Sequence, residues 1–226
     1  MPSTSVQAVD IVGGDGIQVS GLLQAPSRAR ACYVLAHGAG AGMNHPFLAA
    51  VAAELATRNI ASLRYQFPYM ERGAKRPDPP PLAQATVRAA AAAAARALPD
   101  LPLIAGGKSF GGRMTSQAQA NTPLPRVRGL AFLGFPLHPA NRPSQDRATH
   151  LLDAHLPMLF LQGTRDALAA LDQIEPVCEE LGERATLMLF KDADHSFHVP
   201  ALSGRTDAQL RGEILDALAS WIDRVI

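Results

Sequence analysis

An excess of either charge is missing from this chain: 21 Lys and Arg stand against 20 Asp and Glu, for a formal net charge of +1. A nucleic-acid or membrane-surface partner calls for a basic excess, so neither partner is expected. Aromatic residues are scarce at 5%, and alanine does much of the filling. Charged residues make up 18% against 47% apolar, which fits a globular chain and excludes a disordered one. The only two cysteines, Cys32 and Cys178, fall in different expected elements without a C-x-x-C pattern. They are expected as buried free thiols, consistent with a reducing compartment. Residues 1–10 lack a basic region followed by an apolar run, so no signal peptide is expected. No apolar stretch is long enough to span a membrane; the alanine run 89–95 is too short and too weakly apolar. A cytoplasmic location is the expectation.

What is there is a regular alternation of patterns. Residues 6–12 and 17–23 flank Gly13-Gly14-Asp15-Gly16 and read as a β-hairpin. Residues 31–36 form a continuous apolar run, a strand buried on both faces, which ends in His37-Gly38-Ala39-Gly40-Ala41-Gly42. A helix is predicted over 47–58, a strand over 60–65, a proline-rich loop over 66–81 and a helix over 82–98. Strands follow at 103–105, 127–133, 158–162 and 185–190. Helices are predicted at 113–121, around 149–154, at 167–181 and at 206–226. Such alternation points to an α/β chain with a mostly parallel sheet and helices on both faces, in one domain over 1–226. In such sheets ligands bind beyond the carboxyl ends of the strands. The loops there, after Ala36, after Tyr65, at Ser109, after Leu133, at Asp166 and at His195, carry the unusual chemistry.

Gly107-Lys108-Ser109-Phe110-Gly111 is G-x-S-x-G at a strand-to-helix turn. A turn that sharp strains the serine backbone and leaves no room for side chains two residues either way. It lifts the hydroxyl off the sheet edge and aims a helix N-terminus at the reacting oxygen. Two other readings exist. One is a glycine-rich turn with an idle serine. The other is a phosphate loop, since Gly107-Lys108-Ser109 copies the end of that motif; but its first glycine would fall on Pro102, within a strand approach.

A serine hydroxyl needs a base, and the base needs a partner that fixes its tautomer. Asp166 and His195 follow Ser109 in the order that this elbow requires, each just past a strand. His198 is the rival base, and Asp166 has the alternative role of helix N-cap for the residues after it. Asp192, Asp194, His195 and His198 also form a dense cluster, a weak metal signal; no metal or cofactor is expected. An oxyanion needs two backbone N–H donors. Phe110, directly after the serine, is expected to give one, and Ala39 the other.

These residues resemble the α/β-hydrolase superfamily: His-Gly-Ala-Gly, Gly-Lys-Ser-Phe-Gly, Gly-Thr-Arg-Asp and Asp-His-Ser-Phe fall in its order. Residues 64–69 and 134–139 look like the small, lidless, dienelactone-hydrolase-like branch. That branch also holds the hydrolase-like domain of a nonspecific-lethal chromatin complex subunit and related predicted hydrolases. The resemblance implies an eight-stranded sheet, with room for one early strand to be missing here, and a serine hydrolase mechanism. Dienelactone hydrolase itself uses a cysteine nucleophile where this chain has Ser109, so its substrate does not carry over. The expected activity is hydrolysis of a small ester or related acyl bond. A thioesterase or peptidase on the same three residues, or a non-catalytic scaffold that keeps the fold, are the alternatives. Residues 134–156 leave room only for a loop and short helix, a poor lining for a long acyl chain. Arg72, Lys75 and Arg76 lie in the 66–81 loop and read either as solvated or as attraction for an anionic substrate.

Overall fold

The computed structural model describes residues 5–14 and 16–226. Asp15 of the first turn and the first four residues of the 1–10 stretch lie outside them. Eight strands form one sheet: β1 (Val6–Val12), β2 (Gln18–Gln24), β3 (Ala31–Ala36), β4 (Ile60–Tyr65), β5 (Leu103–Lys108), β6 (Val127–Leu133), β7 (Met158–Gly163) and β8 (Ala185–Phe190). Their spatial order is β1-β2-β4-β3-β5-β6-β7-β8. The opening hairpin pairs antiparallel, β2 pairs antiparallel with β4, and every later pairing is parallel. The full set of eight strands corrects the expectation that an early one could be missing. Both β1 and β2 stay in the sheet, because Leu22 to Gln24 register against Arg64 to Ser62 and carry the hairpin onto β4.

Six helices cover the sheet: α1 (Pro46–Thr57), α2 (Pro68–Glu71), α3 (Pro80–Ala97), α4 (Phe110–Asn121), α5 (Leu171–Leu181) and α6 (Asp207–Val225). One face packs α1 and α6 against Tyr33, Leu35, Ile104, Leu133 and Leu161, closed by Trp221. The other packs α3 and α4 against Val34, Tyr65, Ala105, Phe132 and Phe160. With both faces covered, β3, β4 and β7 are buried at every position, which is why β3 reads as an unbroken apolar run and the other two as largely apolar ones. α6 starts at a capping box, Thr206 with Gln209, that satisfies two otherwise orphaned N–H groups. Among the described residues no helix is long and apolar enough to cross a membrane.

Two expected boundaries and one expected burial differ. Residues 66–81 are not all loop. Pro68 starts the single turn α2, and buried Asp78 holds it by accepting from the Tyr69 N–H (2.9 Å) and from Arg72 (2.8 Å). Helix α5 begins at Leu171 rather than 167, and its N-cap is Ala170, so Asp166 is no cap. The Asp166 carboxylate instead takes the Leu168 N–H (2.8 Å) and folds 166–169 into a turn. Cys32 is buried, but Cys178 is only half-buried.

The segment between β6 and β7 contains one 3-10 helix, Thr149–Ala154, laid on α4. There His150 Nε2 and Ser116 Oγ lie 2.7 Å apart. Burial, and next the Arg113 guanidinium, push the His150 imidazole from 6.5 down to about 4, with Asp153 opposing. Burial shifts His37 the same way. Between about pH 6.5 and 4 the unfolded chain therefore binds more protons than the folded one, so stability falls as the pH falls through that window. Acidification is expected to remove about 1–3 kcal/mol through His150. Denaturant midpoints of wild type and His150→Gln, followed from neutral pH into this window, check this. The variant should show the flatter acid slope, and equal slopes would contradict the assignment.

Candidate active site

The elbow sits where β5 meets α4. Ser109 has φ +50° and ψ −116°, a sparsely populated backbone conformation for a residue with a Cβ. It is held because the flanking backbone packs without side chains between. A Cβ on Gly107 would come within 2.3 Å of the Ala36 carbonyl oxygen, and one on Gly111 within 2.5 Å of the His37 carbonyl oxygen. Only glycine permits that contact with the end of β3. The same contact explains why α4 starts at Phe110, not at 113. Gly111 and Gly112 read as turn residues in isolation, but their close packing lets the helix run from the elbow itself, and Arg113 N–H donates to the Ser109 carbonyl at 3.1 Å.

The structure brings Ser109, Asp166 and His195 together. His195 Nε2 lies 2.8 Å from Ser109 Oγ, and His195 Nδ1 lies 2.7 Å from Asp166 Oδ2. The carboxylate can only accept, so Nδ1 carries the proton and Nε2 is free to accept from the serine hydroxyl. The Asp166 side chain is fully buried and the His195 side chain 21% exposed. The rival His198 points elsewhere. Its Nδ1 pairs with Asp207 at 2.9 Å on the surface, and the Asp207 carboxylate raises its pKa. Asp194 is used locally: one carboxylate oxygen accepts the N–H groups of Ser196 (2.7 Å) and His198 (2.9 Å), shaping the turn that presents His195.

Phe110 and Ala39 flank Ser109 from two elements. Phe110 is the first residue of α4, so its N–H has no acceptor within the helix. Ala39 shares a cavity with Ser109, and the neighbouring N–H groups are committed, Gly40 to the Tyr69 hydroxyl (2.8 Å) and Ala41 to the Gly38 carbonyl (3.2 Å). The cavity is about 270 Å³, walled by Phe47, Leu48 and Leu168, with His45, Lys108 and Ser196 as its further polar groups. Phe47 stacks on Phe197 with ring centroids 6.0 Å apart. Arg72, Lys75 and Arg76 do not line it: Arg72 is tied to Asp78, and Lys75 and Arg76 are exposed beyond α2.

Three residues to which the sequence assigns no separate role hold the site in place. Buried His37 donates from Nδ1 to the Gly38 carbonyl (2.7 Å) and accepts the Phe67 N–H on Nε2 (3.1 Å), which fixes the loop carrying Ala39. Buried Gln162 donates to Asp166 Oδ2 (2.5 Å) and accepts the Phe135 N–H (2.9 Å), so the acid is oriented from its own strand. The signal for Gln162 was a lone amide in an otherwise apolar strand. Half-buried Lys108 donates from Nζ to the His195 carbonyl.

The Alpha/beta hydrolase domain family model matches residues 29–223. Among solved structures, dienelactone hydrolase from Anabaena variabilis is similar at 20% identity and a TM-score of 0.80, covering 99% of both chains. A Xanthomonas campestris protein described as an α/β serine hydrolase without lid is 22% identical, with a TM-score of 0.75 over 96% of this chain and 95% of that one. A cold-adapted esterase from an Arctic intertidal metagenomic library is 17% identical, with a TM-score of 0.70 over 100% of this chain and 96% of that one.

Proposed function

We infer that this chain, which belongs to the alpha/beta hydrolase family and has the fold of its lidless dienelactone-hydrolase-like members, is a serine hydrolase that cleaves a small carboxylic ester or related acyl bond. The observation that carries the reading is His195, hydrogen-bonded at once to the Ser109 hydroxyl and to the buried Asp166 carboxylate. In the proposed cycle Nε2 of His195 takes the hydroxyl proton as Ser109 Oγ attacks the acyl carbon. The N–H groups of Ala39 and Phe110 hold the oxyanion, a contribution on the order of 3–4 kcal/mol for a single well-placed donor. His195 passes its proton to the leaving oxygen, then draws one from water as that water attacks the acyl carbon, and returns it to Ser109 Oγ as the acid leaves. Asp166 keeps the productive tautomer and stabilises the imidazolium without taking the proton. The whole chain is proposed to act as one domain, since every member of the site comes from the edge of one sheet.

The cavity supports a small acyl group. Each buried methylene gains about 0.8 kcal/mol, but only where apolar surface meets it. Phe47, Leu48 and Leu168 supply that surface for a few carbons, and the segment after β6 adds one short helix against α4 rather than a roof. A series of p-nitrophenyl esters from acetate to palmitate tests this. kcat/KM is expected to level or fall beyond about four to six carbons. A steady rise through the long chains would contradict it.

A further inference from the structure

Lys108 stands at the variable position of the elbow, directly before Ser109, and its side chain is spent on the opposite partner of the site. Its Nζ donates to the carbonyl oxygen of His195 and lies 5.1 Å from the centroid of the Phe197 ring. The His195 turn contains two residues of positive φ, Asp192 and Phe197, and its other hydrogen bonds run within the turn through Asp194, back to the residues after β7, and to Arg205 and Asp207 at the start of α6, whereas among the described residues the His195 carbonyl itself is held by Lys108. We propose that Lys108 is a positioning residue, a cationic tie from the nucleophile's own strand that sets how far His195 stands from Ser109. The inference rests on the hydrolase reading above and deepens it: the residue beside the nucleophile fixes the reach of the base.

The geometry around the ammonium supports this. The carboxylates of Asp166 and Asp194 and the imidazole of His195 face it from the ends of β7 and β8, and His45 shares its cavity. From the end of β6, Gly134 leaves it room: a Cβ there would sit 3.0 Å from Nζ and 3.4 Å from His195 Nδ1. A charged donor to a carbonyl holds roughly twice as strongly as a neutral one. Burial lowers the Lys108 ammonium from 10.5 to about 8, against the raising effect of Asp166 and then Asp194. Below that pH the tie is charged. Above it the tie weakens to a neutral donor, and the base loses its fixed reach.

Wild type, Lys108→Met and Lys108→Arg compared on p-nitrophenyl acetate from about pH 6 to about pH 10 test this. Methionine keeps the stem and removes the donor. Its kcat is expected to fall about 10- to 100-fold with KM within about twofold, the cost of a misplaced reacting group. Wild-type kcat should decline through about pH 8, a limb that the methionine variant lacks and that arginine, always charged, carries above the range. A methionine variant within about twofold of wild type at every pH overturns the proposal, as does an arginine variant with an unmoved limb. If the methionine variant does not fold, the limbs of wild type and the arginine variant decide it. Wild type that neither turns over nor reacts with a fluorophosphonate defeats the hydrolase reading. Active wild type with an unaffected methionine variant defeats only the role of Lys108.

Discussion

Replacing Ser109 with alanine is expected to abolish covalent labelling by a fluorophosphonate and to lower kcat on the order of 10⁶-fold, because the hydroxyl 2.8 Å from His195 Nε2 is gone. His195→Ala should fall as far, since members of such a unit act together and the loss of either disables the whole. His198→Ala should keep most of the activity, as its imidazole is engaged with Asp207 on the surface. Labelling followed by mass spectrometry of the modified peptide, with turnover on a short ester, reads all three variants. Persistent labelling of the alanine variant at 109, or a dead variant at 198, would remove the assignment. The folded state of each variant is checked by its thermal transition.

Asp166→Asn is the second large effect, on the order of 10⁴-fold in kcat, and its physical reason is visible in the hydrogen bonds. Asp166 Oδ2 accepts from both Gln162 and His195, while Oδ1 accepts from the Leu168 N–H. All three partners are donors. An asparagine has one oxygen to offer, so in either orientation its amide group confronts a donor. Gln162 cannot easily turn over to help, because its own oxygen holds the Phe135 N–H. With the amide toward Nδ1, the imidazole is driven to the tautomer whose Nε2 carries the proton, and it can no longer accept from the serine. KM for a small ester should change far less than kcat. A loss below about tenfold would mean that Asp166 does not fix the tautomer.

How much of this was legible beforehand depends on the scale of the contact. The strands buried on both faces announced themselves as apolar runs, and the elbow announced itself through glycines at fixed offsets, so the sheet and the order of Ser109, Asp166 and His195 could be read directly. Their convergence within hydrogen-bond distance was implied by their place at strand ends and is seen in the geometry. Side-chain ties across the sheet were not legible. Nothing local says that Lys108 reaches the carbonyl of a residue 87 positions away, or that Asp78 holds α2, because such pairs leave no period or spacing. The start of α5 departs from the sequence expectation for a related reason. Asp166 looks like a helix cap from its neighbours, but its carboxylate is already committed to the site and to Leu168.

The main-chain contacts of Gly107 and Gly111 with the end of β3 carry a consequence for how this protein tolerates change. The two N–H groups assigned to the oxyanion belong to segments that meet backbone to backbone, with carbonyl oxygens 2.3 and 2.5 Å from where a methyl would sit. No neighbouring side chain can be trimmed to make room there, so a substitution has no local remedy. The cavity walls are a different material. Phe47 comes from α1 and Leu168 from the turn before α5, and neither takes part in that contact. Reactivity and substrate choice are thus inherited through separate parts of the chain. A library directed to new esters should diversify position 168 first, change Phe47 and buried Leu48 only conservatively because Phe47 stacks on Phe197 of the His195 turn, and leave the glycine junction fixed.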